Sequence, residues 1–216
     1  MGKNKPINIL LVGPSGGGKG TQAILIAEKF GMKHLQSGEI LRRWASQENE
    51  FGKKVNEAML KGFVPSEWIF QIIEEEFKKV DEGKGLVLDS FSRILPEAKM
   101  LYDVLEKSGR KLDYVFFVKV SDEEAMRRLS KRGVCRECKE IMMIDEIRDM
   151  KCVKCGGEVE IRKDDNPESI KKRLNEFKSK TTEVINYIRE NGRLIEIDGE
   201  QPKEKVFEGI IKHIKQ

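Results

Sequence analysis

The stretch from Ile7 to Gln22, INILLVGPSGGGKGTQ, decides how this chain folds. It opens on a nearly continuous apolar run, Ile7 to Val12, the pattern of a strand buried on both faces of a parallel sheet. A glycine-rich loop, Gly13 to Thr21, follows at once and leads into a helical pattern. Gly16, Gly17 and Gly18 let successive backbone N–H groups turn inward around phosphate oxygens, where side chains would clash. The helix N-terminus beyond adds its positive dipole end, and Lys19 can reach the terminal phosphates. Gly20 stands where the general phosphate loop has Ser or Thr. A side chain there cannot ligate magnesium, so that ion would rest on waters, nucleotide oxygens and distant carboxylates. An ordinary glycine-rich turn is the competing reading, and the strand before and helix after weigh against it.

Working outward, the same kind of short apolar run recurs at Leu86 to Leu88, Tyr114 to Val120 and Leu194 to Ile197, with a weaker candidate at His34 to Gln36. Helical spacing lies between them: Trp68, Ile69, Ile72, Ile73 and Phe77, and more loosely Leu25, Ala27 and Phe30. Ser121 with Glu124 has capping-box spacing. Pro167 suits the first turn of a long helix that Asn191-Gly192 would stop. Strand and helix in alternation predict an α/β fold, a parallel sheet flanked by helices. Two stretches break the rhythm. Ser37 to Val64 is helical but polar, and Cys135 to Asp165 has paired cysteines, glycines and no helical period. Both read as excursions from the core.

The 216 residues carry 41 Lys+Arg against 37 Asp+Glu, a net charge of +4. So small a basic excess argues against a sequence-independent polyanion binder. No apolar run approaches the roughly 20 residues of a membrane span, and the N-terminus lacks a secretory core. A soluble cytoplasmic protein is the expectation. The 4 cysteines are too few for a disulfide scaffold. Cys135-x-x-Cys138 and Cys152-x-x-Cys155, 13 residues apart, have the spacing of a tetrahedral thiolate site, and four thiolates with no open position mean structural zinc. Unpaired thiols or disulfides are the blander alternatives. A zinc ribbon could also grip nucleic acid, but from Cys135 to Cys155 five Lys/Arg face five Asp/Glu, a neutral stretch that binds phosphate poorly.

Several segments then resemble the adenylate kinases, nucleoside monophosphate kinases of the phosphate-loop class. GPSGGGKGTQ (13–22) is similar to their loop signature, and HLQSGEILR (34–42) to the segment that starts their monophosphate site. LDSFSRILPEA (88–98) resembles their Asp-Gly-Phe-Pro-Arg signature. RLSKRGVC, IRKDD and IKKRL resemble the segments framing their lid, and EIDGEQP (196–202) the loop that touches the ATP base. These occur in family order over nearly the whole chain. The resemblance implies a core of 1–35, 65–130 and 165–216, a monophosphate-binding insert at 36–64, and a zinc-binding lid at 131–164. It implies reversible transfer between ATP and AMP to give two ADP, with magnesium, in a monomer.

Carried over by position, Lys19, Arg93, Arg132, Arg162 and Arg173 are the catalytic candidates. Gly16, Gly17, Gly18, Lys19, Gly20, Thr21, Arg128, Arg132 and Gln201 fall on the ATP side, Arg128 packing on the base. Ser37, Gly38, Arg42, Gly62, Phe63, Val64, Ser90, Arg93, Glu97, Arg162 and Arg173 fall on the monophosphate side. Asp89 and Glu39 match the carboxylates that organise magnesium waters. The chemistry suits the arginines. The attacking phosphate oxygen is already anionic, so no general base is needed, and the obstacle is charge, which planar guanidinium forks offset well.

Three positions depart from the family signature: Ser90 replaces Gly, Ser92 replaces Pro and Glu97 replaces Gln. A Gln amide can accept from adenine N6 and donate to N1, whereas an ionised Glu can only accept. Either Glu97 is protonated, or the base sits differently, or the preferred monophosphate is not AMP. Backbone contacts around Gly62 to Val64 could also dominate base selection. Two rivals to an adenylate kinase are a UMP/CMP-type kinase and a nucleotide-binding regulatory or assembly protein without transfer activity.

Overall fold

The computed structural model describes residues 5–61, 64–162, 165–191 and 194–214. Five parallel strands form the central sheet: β1 (Asn8–Val12), β2 (Lys33–Gln36), β3 (Leu86–Asp89), β4 (Tyr114–Lys119) and, last in the chain, β8 (Leu194–Asp198). Their order is β2-β3-β1-β4-β8. The chain builds to one side of β1 and then to the other, which opens a crevice at its carboxyl end. Leu10 and Val12 join the apolar cluster on one face of the sheet, while Ile9 and Leu11 join the cluster on the other. Burial on both faces is why the run is apolar from Ile9 to Val12, while Asn8 at its start is buried with its Nδ2 donating to the Lys111 carbonyl.

Helices α1 (Lys19–Phe30), α4 (Ser66–Lys78), α5 (Leu95–Lys107), α6 (Asp122–Ser130), α7 (Pro167–Asn191) and α8 (Lys203–Ile211) flank the sheet. The two excursions take different forms. Ser37 onward makes α2 (Ser37–Ala45) and α3 (Glu50–Leu60), and Phe51 of α3 packs edge-on against both Trp44 of α2 and Trp68 of α4. The cysteine-rich stretch makes a separate antiparallel sheet of β5 (Arg132–Cys135), β6 (Ile141–Met143) and β7 (Val159–Ile161), with β5 in the middle.

Two local expectations need correcting. The buried apolar face of α1 is Ala23 and Ile26, with Ala27 and Phe30 at its margin; Leu25 lies outside it. Only half of the capping box at α6 forms. Ser121 accepts the Glu124 N–H at 3.3 Å, but Glu200 from the loop after β8 accepts the Ser121 N–H at 2.7 Å. Glu124 is drawn away to Arg127 and Arg128. Pro167 does begin α7, and the stop signal Gly192 lies outside the described residues. Among the described residues, no helix is long and apolar enough to cross a membrane.

Candidate active site

The loop between β1 and α1 folds as its glycines require. At Gly16 the backbone is left-handed (φ 82°), and an added Cβ would lie 2.8 Å from the Ala125 carbonyl of α6. A side chain at Gly13 would meet the Val118 carbonyl of β4 at 2.4 Å. The loop is therefore pressed into the sheet, with the amino end of α1 directly beyond it. Lys19 is buried and its Nζ donates to the Pro14 carbonyl at 2.8 Å. Burial pushes its pKa down to about 8; Asp89 opposes that shift, and Arg93 and Arg132 add to it.

The other cations are linked to this field. Arg132 opens β5, Arg162 follows β7, and Arg173 lies in α7. Burial, with Arg162 and Arg173 close by, lowers the Arg132 pKa, and Asp165 opposes them. Asp165 is the keystone, its carboxylate fully shielded from solvent. Arg132 Nε donates to Oδ2 and Nη2 to Oδ1, both at 2.8 Å, and Arg173 Nη2 donates to Oδ1 at 2.8 Å. One carboxylate thus fixes two guanidinium groups from different elements. Sequence reasoning had left Asp165 out of the site. The signal was its place in the IRKDD segment, just before α7.

Arg128 of α6 has its Nη1 3.8 Å from a Cβ placed on Gly18. Glu124 holds it through Nε at 2.6 Å. Gln201 lies nearby in the loop after β8 and donates to Asp198 at 3.1 Å; Arg128 helps to hold the Asp198 carboxyl below the usual range, behind hydrogen bonds from Glu200 and Gln201. Thr21 is half-buried in the first turn of α1.

On the other side of the loop, Asp89 ends β3 next to Gln36, which ends β2 in register with it. Asp89 is buried, and its Oδ2 lies 3.4 Å from a Cβ placed on Gly20, so the carboxylate faces the loop. Gln36 Nε2 donates to Asp89 Oδ2 at 3.1 Å. Ser37 and Gly38 open α2, and Arg42 one turn on lies with Nη1 3.4 Å from a Cβ on Gly38. Glu39 is exposed in the same first turn. Val64 is half-buried, and Gly62 and Phe63 lie outside the described residues. Glu97, in the first turn of α5, accepts the Arg93 backbone N–H at 2.8 Å. Its pKa is raised because burial outweighs that bond and the positive charge of Arg93. Sequence reasoning considered only its face toward a base and missed this loop contact.

The family model described as adenylate kinase matches residues 11–193. The chain belongs to the adenylate kinase family. Adenylate kinases of similar sequence include that of Kosmotoga olearia, 39% identical over 212 residues that cover 96% of this chain and 99% of the relative. That of Archaeoglobus fulgidus is 37% identical over 216 residues, 97% of this chain and 100% of the relative. A third, from Elusimicrobium minutum, is 38% identical over 210 residues, 95% and 97%. The chain is accordingly a nucleotide-binding kinase of the transferase class.

The four cysteine sulfurs of the second sheet all lie within 4.8 Å of one another. Cys135 and Cys155 Sγ are 3.5 Å apart, and Cys138 and Cys152 Sγ 3.6 Å. These are far beyond a disulfide bond of about 2.05 Å and close to the ~3.8 Å edge of a tetrahedron with metal–sulfur distances of about 2.3 Å. The donor set is compatible with zinc. This sheet also touches the phosphate loop: Ile141 Cδ1 is 3.6 Å from a Cβ placed on Gly20, and Lys154 Nζ is 3.7 Å from Glu28 of α1.

Proposed function

We propose that the chain transfers the γ-phosphoryl group of ATP to AMP by direct in-line displacement, and that Lys19, Arg93, Arg132, Arg162 and Arg173 form the cage around the phosphates. One observation carries this reading: Lys19 is buried beside the glycine loop, the charges of Arg93 and Arg132 bear on it, and those of Arg162 and Arg173 bear in turn on Arg132. The carboxylates of Asp165 and Asp89 offset only part of that positive charge, and two phosphate chains would supply the remaining anions. The loop N–H groups and Lys19 hold the ATP phosphates. Arg42 and Arg93 hold the monophosphate, and the remaining arginines bridge the two.

Arg128 and Gln201 sit where an adenine of ATP would pack, and Ser37, Gly38, Val64, Ser90 and Glu97 surround the acceptor. A bound magnesium ion offsets phosphate charge and orients the transferring group. Asp89, with Glu39 further out, would hold it through water, which fits a buried carboxylate beside Gly20. The four cysteines would hold a structural zinc that stabilises the lid and takes no part in transfer. The division into a core, an insert at 36–64 and a lid at 131–164 supports closure over both nucleotides, which excludes the water that would otherwise hydrolyse ATP. A cytoplasmic monomer is the setting that fits this role.

The test is ADP formation with ATP against AMP, CMP, UMP and GMP. The expected result is strong preference for AMP. Preference for a pyrimidine monophosphate would overturn the AMP assignment, and nucleotide binding without any ADP formation would overturn transfer itself.

A further inference from the structure

Ser90 has an unusual backbone for its residue type. Its φ of 64° is left-handed, a region that costs a side chain and costs glycine nothing. The bend turns two of its groups to use. Its carbonyl accepts the Ser37 hydroxyl at 2.6 Å, at the first residue of α2. Its own hydroxyl folds back and donates to Asp89 Oδ1 at 2.8 Å. The other oxygen, Oδ2, accepts from Gln36 at 3.1 Å, and His34 Nε2 stands 4.0 Å away. Each carboxylate oxygen of a buried Asp89 therefore has its own fixed donor, and the plane of the carboxylate cannot turn.

We propose that Ser90 is a positioning residue for the metal–nucleotide complex: with Gln36 it clamps Asp89 in one orientation, from which the carboxylate would hold the waters of a nucleotide-bound cation, and the left-handed strain at Ser90 is retained for that contact. The proposal rests on the reading of Asp89 as the carboxylate that orders those waters. Groups behind a metal site act by holding its contacts in one orientation, so loss of the clamp weakens the gain in nucleotide affinity that the cation brings, while metal-free nucleotide is held as before. The seryl carbonyl also ties this carboxylate to the start of the insert, so the clamp lies where the two substrate sides meet.

The experiment compares Ser90→Gly, Ser90→Ala and Asp89→Asn in the full-length enzyme. Calorimetry measures binding of a non-hydrolysable ATP analogue with and without magnesium, and thermal unfolding is followed in parallel. Both serine variants lack the hydroxyl, but only glycine relaxes the backbone. The expected result is that both lose about ten-fold of the magnesium-dependent gain. Ser90→Gly unfolds at a temperature equal to or above the parent, and Ser90→Ala below it. An unchanged magnesium gain in both serine variants overturns the clamp while Asp89→Asn still abolishes the gain. Loss in Ser90→Ala alone also overturns it, because backbone strain rather than the hydroxyl would then be responsible. If Asp89→Asn keeps the full gain, the reading of Asp89 itself fails.

Discussion

The five-stranded sheet buries Ile9, Leu10, Leu11, Leu88 and Phe116 completely between its helices. The three-stranded sheet of 132–161 has a small apolar cluster of Cys135, Met142, Cys152 and Val159, with Ile147 packed against them. Its surface is laced instead with exposed pairs such as Lys131–Asp145 and Arg136–Glu160, each worth about 0–1 kcal/mol. The first sheet is stabilised by burial of apolar area. The second is too small for that, and a metal held by its four clustered cysteines would be the remaining source of stability. The lesson is a division of labour. A rigid core presents the loop, and the small sheet carries Arg132 at its start and Arg162 just after its last strand.

Asp165, which joins the two regions, gives the sharpest test. Asp165→Asn leaves Arg132 and Arg173 half-buried with weaker partners, and should destabilise the protein by about 3–5 kcal/mol. Turnover should fall by about 10²-fold or more. A variant that melts with the parent and turns over normally would show that the cover needs no such anchor.

Removal of zinc by a strong chelator under reducing conditions is next in size. Backbone amides of 132–161 should lose protection from hydrogen exchange while β1 and β4 keep theirs, with turnover falling about 100-fold. A single transition that unprotects both sheets together would erase the distinction between them.

A smaller effect concerns the core alone. Lys19 has a pKa of about 8 before nucleotide binds, and phosphate oxygens raise it. Below pH 8 the ammonium is already present, so ATP binding at pH 7 takes up little proton. At pH 9 it should take up close to one, and ATP affinity should decline as pH rises through 8. Calorimetry in buffers of different ionisation enthalpy measures the uptake; none at pH 9 would place Lys19 outside the phosphate site.

The smallest effect is expected at Glu97. Its raised pKa means that a proton able to bond adenine N1 is gained as pH falls. Relative to Glu97→Gln, whose amide donates at every pH, the parent's KM for AMP should improve by a few-fold as pH falls from neutral toward the raised pKa of this carboxyl, about what one hydrogen bond supplies. A constant ratio between the two enzymes would mean that Glu97 serves only the Arg93 backbone.

Much of this was legible in the chain because the signals are local. Strand, glycine loop and helix succeed one another within sixteen residues, from Ile7 to Gln22, and the paired cysteines announce their ligand geometry by spacing. The family, the α/β fold and transfer between ATP and AMP follow from such segments. The half-formed cap at α6 was not legible, because Glu200, 79 residues away, takes the Ser121 N–H that Glu124 was expected to accept. The same is true of Asp165, whose contact with Arg132 spans 33 residues. No periodicity encodes a partner at that distance.

By itself, then, the sequence determined which backbone can cradle a phosphate and which thiols can share a metal, since both depend on residues adjacent in the chain. Tertiary structure alone decided which carboxylate faces which cation. Asp89 is held by Gln36 only because β2 and β3 lie side by side in register, and Arg132 and Arg173 share Asp165 only because the second sheet folds back onto α7. Electrostatics in a site depends on distance through space, and that distance exists only once the sheets are packed.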